Sequence, residues 1–77
     1  NGTKRIRTLT ELGPNSPATV ARMKLDQKDI DRLADLGMRL GAEVRVLQSA
    51  PEAPLLVAVL DARIAVNYDI AKRIYVY

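Results

Sequence analysis

Arg32-Leu33-Ala34-Asp35-Leu36-Gly37-Met38-Arg39-Leu40-Gly41-Ala42-Glu43-Val44-Arg45-Val46-Leu47 changes period halfway along. Leading into Gly37, the apolar residues Ile30, Leu33 and Ala34 recur at intervals of three and four, the spacing of one helix face. Beyond Gly41 the pattern alternates, with Val44 and Val46 against Glu43 and Arg45, as a half-buried strand does. The spacing predicts a helix over residues 27–36. Asp26 stands at its N-cap, Asp29 lies near its positive end, and Gly37 suits the left-handed residue that terminates it. Gly37-Met38-Arg39-Leu40-Gly41 is then a short connector into a strand over residues 43–47.

Upstream, residues 18–25 alternate and predict a second strand, with Val20, Arg22 and Lys24 on one face and Ala21, Met23 and Leu25 on the other. Gly13-Pro14-Asn15-Ser16-Pro17 before it is a breaker, and Ile6 to Leu12 reads as a short strand or single turn that pins the amino end. Downstream, the two-proline loop Ser49 to Pro54 bends away from the sheet. Residues 55–60 form a buried strand, Asp61-Ala62 a two-residue turn, and residues 63–67 the returning strand of a hairpin. Residues 68–73 make one helical turn and residues 74–77 a last strand. Five short strands with one helix predict a small mostly-β barrel, closed so that no sheet edge is left exposed. Residues 1–5 are expected to be a flexible tail and residues 6–77 a single domain.

Composition narrows the function. A chain of 77 residues allows one domain and one compact core. Cysteine and histidine are both absent, which removes disulfides, thiolate zinc sites and the commonest catalytic base. Ser16 and Ser49 therefore have nothing to activate them, and no phosphate-binding glycine loop is present. The longest apolar run, Pro54 to Leu60, is far short of the roughly 20 residues a membrane-spanning helix needs, and no signal peptide opens the chain. Its cysteine-free composition fits the cytoplasm. The chain does not begin with Met, which suggests a tag remnant or a domain cut from a longer protein. The net charge is +3 with twelve basic and nine acidic residues. Apart from Lys4-Arg5-x-Arg7 and Lys72-Arg73 these are interleaved, as on an ordinary solvated surface rather than a nucleic-acid face.

The order of these signals resembles the ferrous iron transport protein A (FeoA) family. A short helix ends in Leu36-Gly37, an apolar residue follows, Gly41 opens a strand, and that strand alternates as Val44-x-Val46. The loop Ala50-Pro51 with Pro54, the strand Arg63-Ile64-Ala65-Val66, the closing Ala71-x-x-Ile74-x-Val76 and the opening Leu9-x-x-Leu12-x-Pro14 match in sequence. Asn15 and Asp61 stand where the family commonly has glycine, and both tolerate a left-handed backbone. Asn67 replaces a usual basic residue, and the segment before the helix is acidic where arginines are common. The resemblance implies an SH3-like barrel without enzymatic activity or cofactor. It also implies a cytoplasmic role in bacterial ferrous iron uptake, with the cytosolic GTPase domain of the transporter FeoB as partner. Contact with the membrane would come only through that partner. The same module also occurs fused within larger proteins such as metal-dependent transcriptional repressors, which is the alternative reading.

Six residues are the candidate partner surface: Leu33, Leu36, Met38, Arg39 and Leu40 around the connector, and Pro51 in the proline loop. Leucines at helical spacing ordinarily pack a core, so Met38, outside the stripe and adaptable in shape, is the expected exposed exception. Tyr75 and Tyr77 share one strand face and with Arg73 could stack bases, but three tyrosines without Trp or Phe make a thin platform. Asp31 and Asp35 lie one helical turn apart; without His or Cys they offer no selective ferrous site, and surface pairing with Lys28, Arg32 and Arg39 is the expected role. The oligomeric state is left open, since any unpaired strand could support self-association.

Overall fold

A computed structural model describes residues 5–77; residues 1–4 of the expected tail lie outside the described residues. The chain runs β1 (Arg7–Thr8), a 3-10 turn (Leu9–Glu11), β2 (Ser16–Met23), α1 (Gln27–Asp35), β3 (Glu43–Gln48), β4 (Leu55–Val59), β5 (Ala62–Val66), α2 (Tyr68–Ala71) and β6 (Ile74–Val76). All strand pairings are antiparallel, in the order β1-β6-β2-β3-β4-β5. This is the mostly-β, SH3-like architecture expected, with six strands rather than five. The extra one is the two-residue β1, so the opening segment supplies both the strand and the turn that were read as alternatives.

Alternation builds the core. Val44 and Val46 of β3, Leu55, Val57 and Val59 of β4, Ile64 and Val66 of β5, and Ile74 and Val76 of β6 all point inward and are buried. Burying each such side chain fully stabilises the fold by about 1.5–3 kcal/mol before chain entropy is counted. Leu9 from the 3-10 turn and Leu33 from α1 belong to the same cluster.

β2 departs from the simple alternation. Val20 pairs with Val76 and Arg22 with Tyr75, so Ala21 is an extra residue, a bulge that resets the phase. Val20 and Met23 therefore both turn to the core, although strict alternation put them on opposite faces. The strand also starts two residues early and contains Pro17, which the sequence placed in a breaker. Val20 exchanges hydrogen bonds on the β3 side with Gly41 and Ala42, whereas Thr19 bonds Tyr77 on the β6 side. By alternation Pro17 faces the β6 side beyond the end of that strand, so its missing N–H removes no ladder bond.

Three smaller expectations also change. The hairpin turn is Leu60-Asp61, because Ala62 pairs with Val59 inside the ladder. Leu60 rather than Asp61 takes the positive φ, +54°. Asp26 precedes α1 with an extended backbone, but its carboxylate makes no capping bond. Asn15 does adopt the left-handed conformation, at φ +61°. Finally, β1 and β5 are the two ends of the sheet and do not pair among the described residues, so the barrel keeps an open edge.

Candidate functional site

The connector after α1 is held by its backbone. The Gly37 N–H donates to the Ala34 carbonyl at 2.9 Å and the Met38 N–H to the Leu33 carbonyl at 2.9 Å, the two bonds of a Schellman termination. Gly37 sits at φ +100°, which a residue with a side chain rarely adopts. The apolar contact that accompanies this motif joins the residues at its two ends, Leu33 and Met38, and both are buried. Met38 is 0% exposed. The expectation that it forms an exposed contact surface is therefore corrected: the termination turns its side chain into the core. Leu33, likewise, is buried in the core.

Farther along, the Gly41 N–H donates to the Val20 carbonyl at 2.8 Å, and the Ala42 N–H to the Arg39 carbonyl at 2.9 Å. These bonds fix the connector against β2 and leave Leu40 projecting outward, 67% exposed. Arg39 reaches back so that its Nη2 donates to the Ala34 carbonyl at 2.7 Å. Its cation thus meets the negative end of α1.

Together these elements enclose a cleft of about 430 Å³ lined by Ala21, Arg22, Met23, Ile30, Arg39 and Leu40. Apolar Ala21, Met23, Ile30 and Leu40 share its lining with two arginines, Arg22 and Arg39. It contains no nucleophile, general acid or general base. Its chemistry suits an apolar side chain carried beside acidic groups. Four lining residues, Ala21, Arg22, Met23 and Ile30, were not among the candidates. The first three flank or form the bulge of β2, which sequence periodicity does not reveal.

The other candidates lie apart. Leu36, 45% exposed, borders a separate depression of about 130 Å³ beside β5, also lined by Asp29, Arg32, Ile64, Val66 and Ile70. Pro51 is exposed in the β3–β4 loop and lines neither cavity. Leu60, read from sequence as the end of a buried strand, is 84% exposed. Its Cδ1 lies 3.1 Å from where a Cβ on Gly37 would stand, so it flanks the connector.

The remaining polar groups form no site. Among the described residues no three acidic side chains stand close enough to share a metal ion. Asp31 accepts from Gln27 Nε2 at 2.8 Å instead of pairing with a helix cation. The ion pair among the described residues is Lys72–Asp69 at 3.4 Å, one turn apart on and just after α2. The Lys24 ammonium lies 5.5 Å from the centre of the half-buried Tyr75 ring, covering a face that base stacking would use. Glu11 accepts from both the N–H and the hydroxyl of Thr8 at 3.0 Å. Chiefly the backbone bond, then the hydroxyl bond, holds its carboxyl below the ordinary carboxylate range. No helix among the described residues is long and apolar enough to cross a membrane.

Comparison with known proteins gives a consistent result. The model of the FeoA domain family matches residues 7–77. Among solved structures, an iron uptake regulatory protein (FeoA) superposes with a TM-score of 0.86 and 28% identity, covering 94% of this chain and 96% of that one. FeoA from Stenotrophomonas maltophilia, complexed with zinc and described as a procaryotic SH3 domain protein, is 37% identical with a TM-score of 0.73, covering 91% of this chain and 88% of its own. A manganese-dependent transcriptional repressor is 26% identical with a TM-score of 0.84; it covers 96% of this chain, which spans only 42% of the repressor. No curated protein matches the chain.

Proposed function

The chain belongs to the FeoA domain family, whose members are non-catalytic and associated with ferrous iron transport, and from that premise we propose that it is a cytoplasmic accessory protein that docks on the GTPase domain of FeoB. The observation that carries this reading is the projecting Leu40, which lines a cleft together with Arg22 and Arg39. A large aliphatic side chain fixed in water by a hydrogen-bonded connector costs hydration free energy in the isolated domain, and a protein partner would recover it. Arg39 and Leu40 remain in the proposed contact surface, with Leu36 and Pro51 as outlying exposed members. The proposed role of the Stenotrophomonas maltophilia protein as an activating factor of bacterial ferrous iron transport supports the same direction.

A residue-resolved NMR titration with the FeoB GTPase domain, with and without a GTP analogue, tests the reading. Saturable shifts centred on Arg22, Met23, Arg39 and Leu40, abolished by Leu40→Asp, are expected. Silence at these residues in both nucleotide states refutes it. A second reading, a regulatory domain within a larger protein, is favoured by the near-complete coverage of this chain by the repressor. In that case the same cleft would dock intramolecularly, and adding the parent chain's other domains would shift these residues. Duplex DNA serves as the control in both experiments.

A further inference from the structure

β5 ends the sheet, and its outer backbone is unpaired among the described residues. Which groups face outward follows from the ladder. Val59 and Ala62 close a two-residue turn, so they exchange hydrogen bonds, and Val57–Ile64 and Leu55–Val66 repeat the pattern. The same parity follows from β2, where Val20 bonds on the β3 side and Thr19 on the β6 side. The N–H and C=O groups of Arg63 and Ala65 therefore point away from β4. Two donors and two acceptors, spaced as in a strand, form the template for an added strand.

We propose that this edge pairs antiparallel with the β5 edge of a second copy of the chain, across a two-fold axis through Ile64. Outward-facing residues can pair only with outward-facing residues, which leaves three symmetric registers. Centring on Arg63 sets two guanidiniums directly opposite each other. Centring on Ala65 requires bonding by Asn67, whose carbonyl already accepts from the Ile70 and Ala71 N–H groups of α2. Centring on Ile64 has neither defect. Arg63 then lies opposite the small Ala65 of the other copy, twice by symmetry, and the two Ile64 side chains meet on the axis.

Beside β5 lies the depression of about 130 Å³, in whose lining Leu33, Leu36, Ile64, Ala65 and Val66 stand with Asp29 and Arg32 of α1. The opposite sheet edge is the two-residue β1, too short to propagate the pairing. Association therefore closes as an isologous dimer rather than extending into a fibre. With only four main-chain bonds the dimer is weak, and it is independent of the Leu40 cleft.

Sedimentation equilibrium of the whole chain from about 10 µM to 1 mM, the regime of small interfaces, tests the pairing. The wild type is expected to pass from monomer to dimer as the Arg63 and Ala65 amides gain protection from hydrogen exchange. Ala65→Arg places like charges opposite each other twice, and about a tenfold loss of dimer affinity is expected with an unchanged melting curve. The double variant Arg63→Glu/Ala65→Arg puts opposite charges in those positions and should restore the dimer. A monomer throughout the range, or a dimer indifferent to Ala65→Arg, overturns the proposal. So does failure of the double variant to recover association, because that excludes the register. Binding of the GTPase domain by Ala65→Arg separates a failure here from a failure of the docking function.

Discussion

Replacing Gly37 by alanine tests how α1 is joined to the barrel. At φ +100° an L-residue meets the steric penalty of the left-handed region, about 1–2 kcal/mol. The new methyl would also stand 3.1 Å from Leu60 Cδ1 and 3.3 Å from Val59 Cγ1. These neighbours differ in freedom. Leu60 is in solvent and can rotate away, whereas Val59 is fully buried and its displacement strains the core. A total loss of about 2 kcal/mol is expected, or roughly 8–16 °C in the melting temperature of a domain this size. Gly41→Ala is the control: at φ +86° it carries the backbone penalty, but nothing lies within 4 Å of its added Cβ. It should cost about 1 kcal/mol. Urea unfolding followed by circular dichroism measures both variants. If Gly37→Ala costs no more than Gly41→Ala, the crowding against Val59 is not real. If it costs nothing, α1 does not need the Schellman termination, and the placement of Met38 loses its explanation.

Met38→Ala should destabilise the domain by about 2–5 kcal/mol in the same assay, because it opens a cavity in the core; a loss below about 0.5 kcal/mol would mean Met38 is not buried. Leu40→Asp, by contrast, should change stability by no more than about 0.5 kcal/mol while eliminating the GTPase-domain shifts, which divides the two connector residues into core and surface. For Glu11 the folded pKa lies below the unfolded one, so its stabilisation is present above the unfolded value and lost as the pH falls through the folded value. The stability difference between wild type and Glu11→Gln should therefore shrink on acidification below the ordinary carboxylate range. A difference independent of pH there would show that the Thr8 bonds do not favour the ionised form.

Much of this protein could be read locally. The three-and-four spacing of Ile30, Leu33 and Ala34 and the alternation through Val44 and Val46 mark the only two periods available to a chain that hides one face, so the helix, β3 and their glycine boundary follow from residue order alone. The absence of histidine and cysteine is likewise legible in composition alone.

The folded structure decided what depends on neighbours distant in the chain. Whether Met38 faces water or core depends on the hydrogen bonds that Gly37 and Met38 make to the end of α1, and on the barrel waiting beneath them. The bulge at Ala21 exists because β2 must keep register with β6 while continuing to bury Met23, a constraint absent from β2's own residues. Pro17 could join a strand because β6 stops short of it, and among the described residues β5 remains an edge because β1 pairs elsewhere. Periodicity records which face a residue prefers; pairing partners, set by the whole chain, determine which of those preferences the backbone can satisfy.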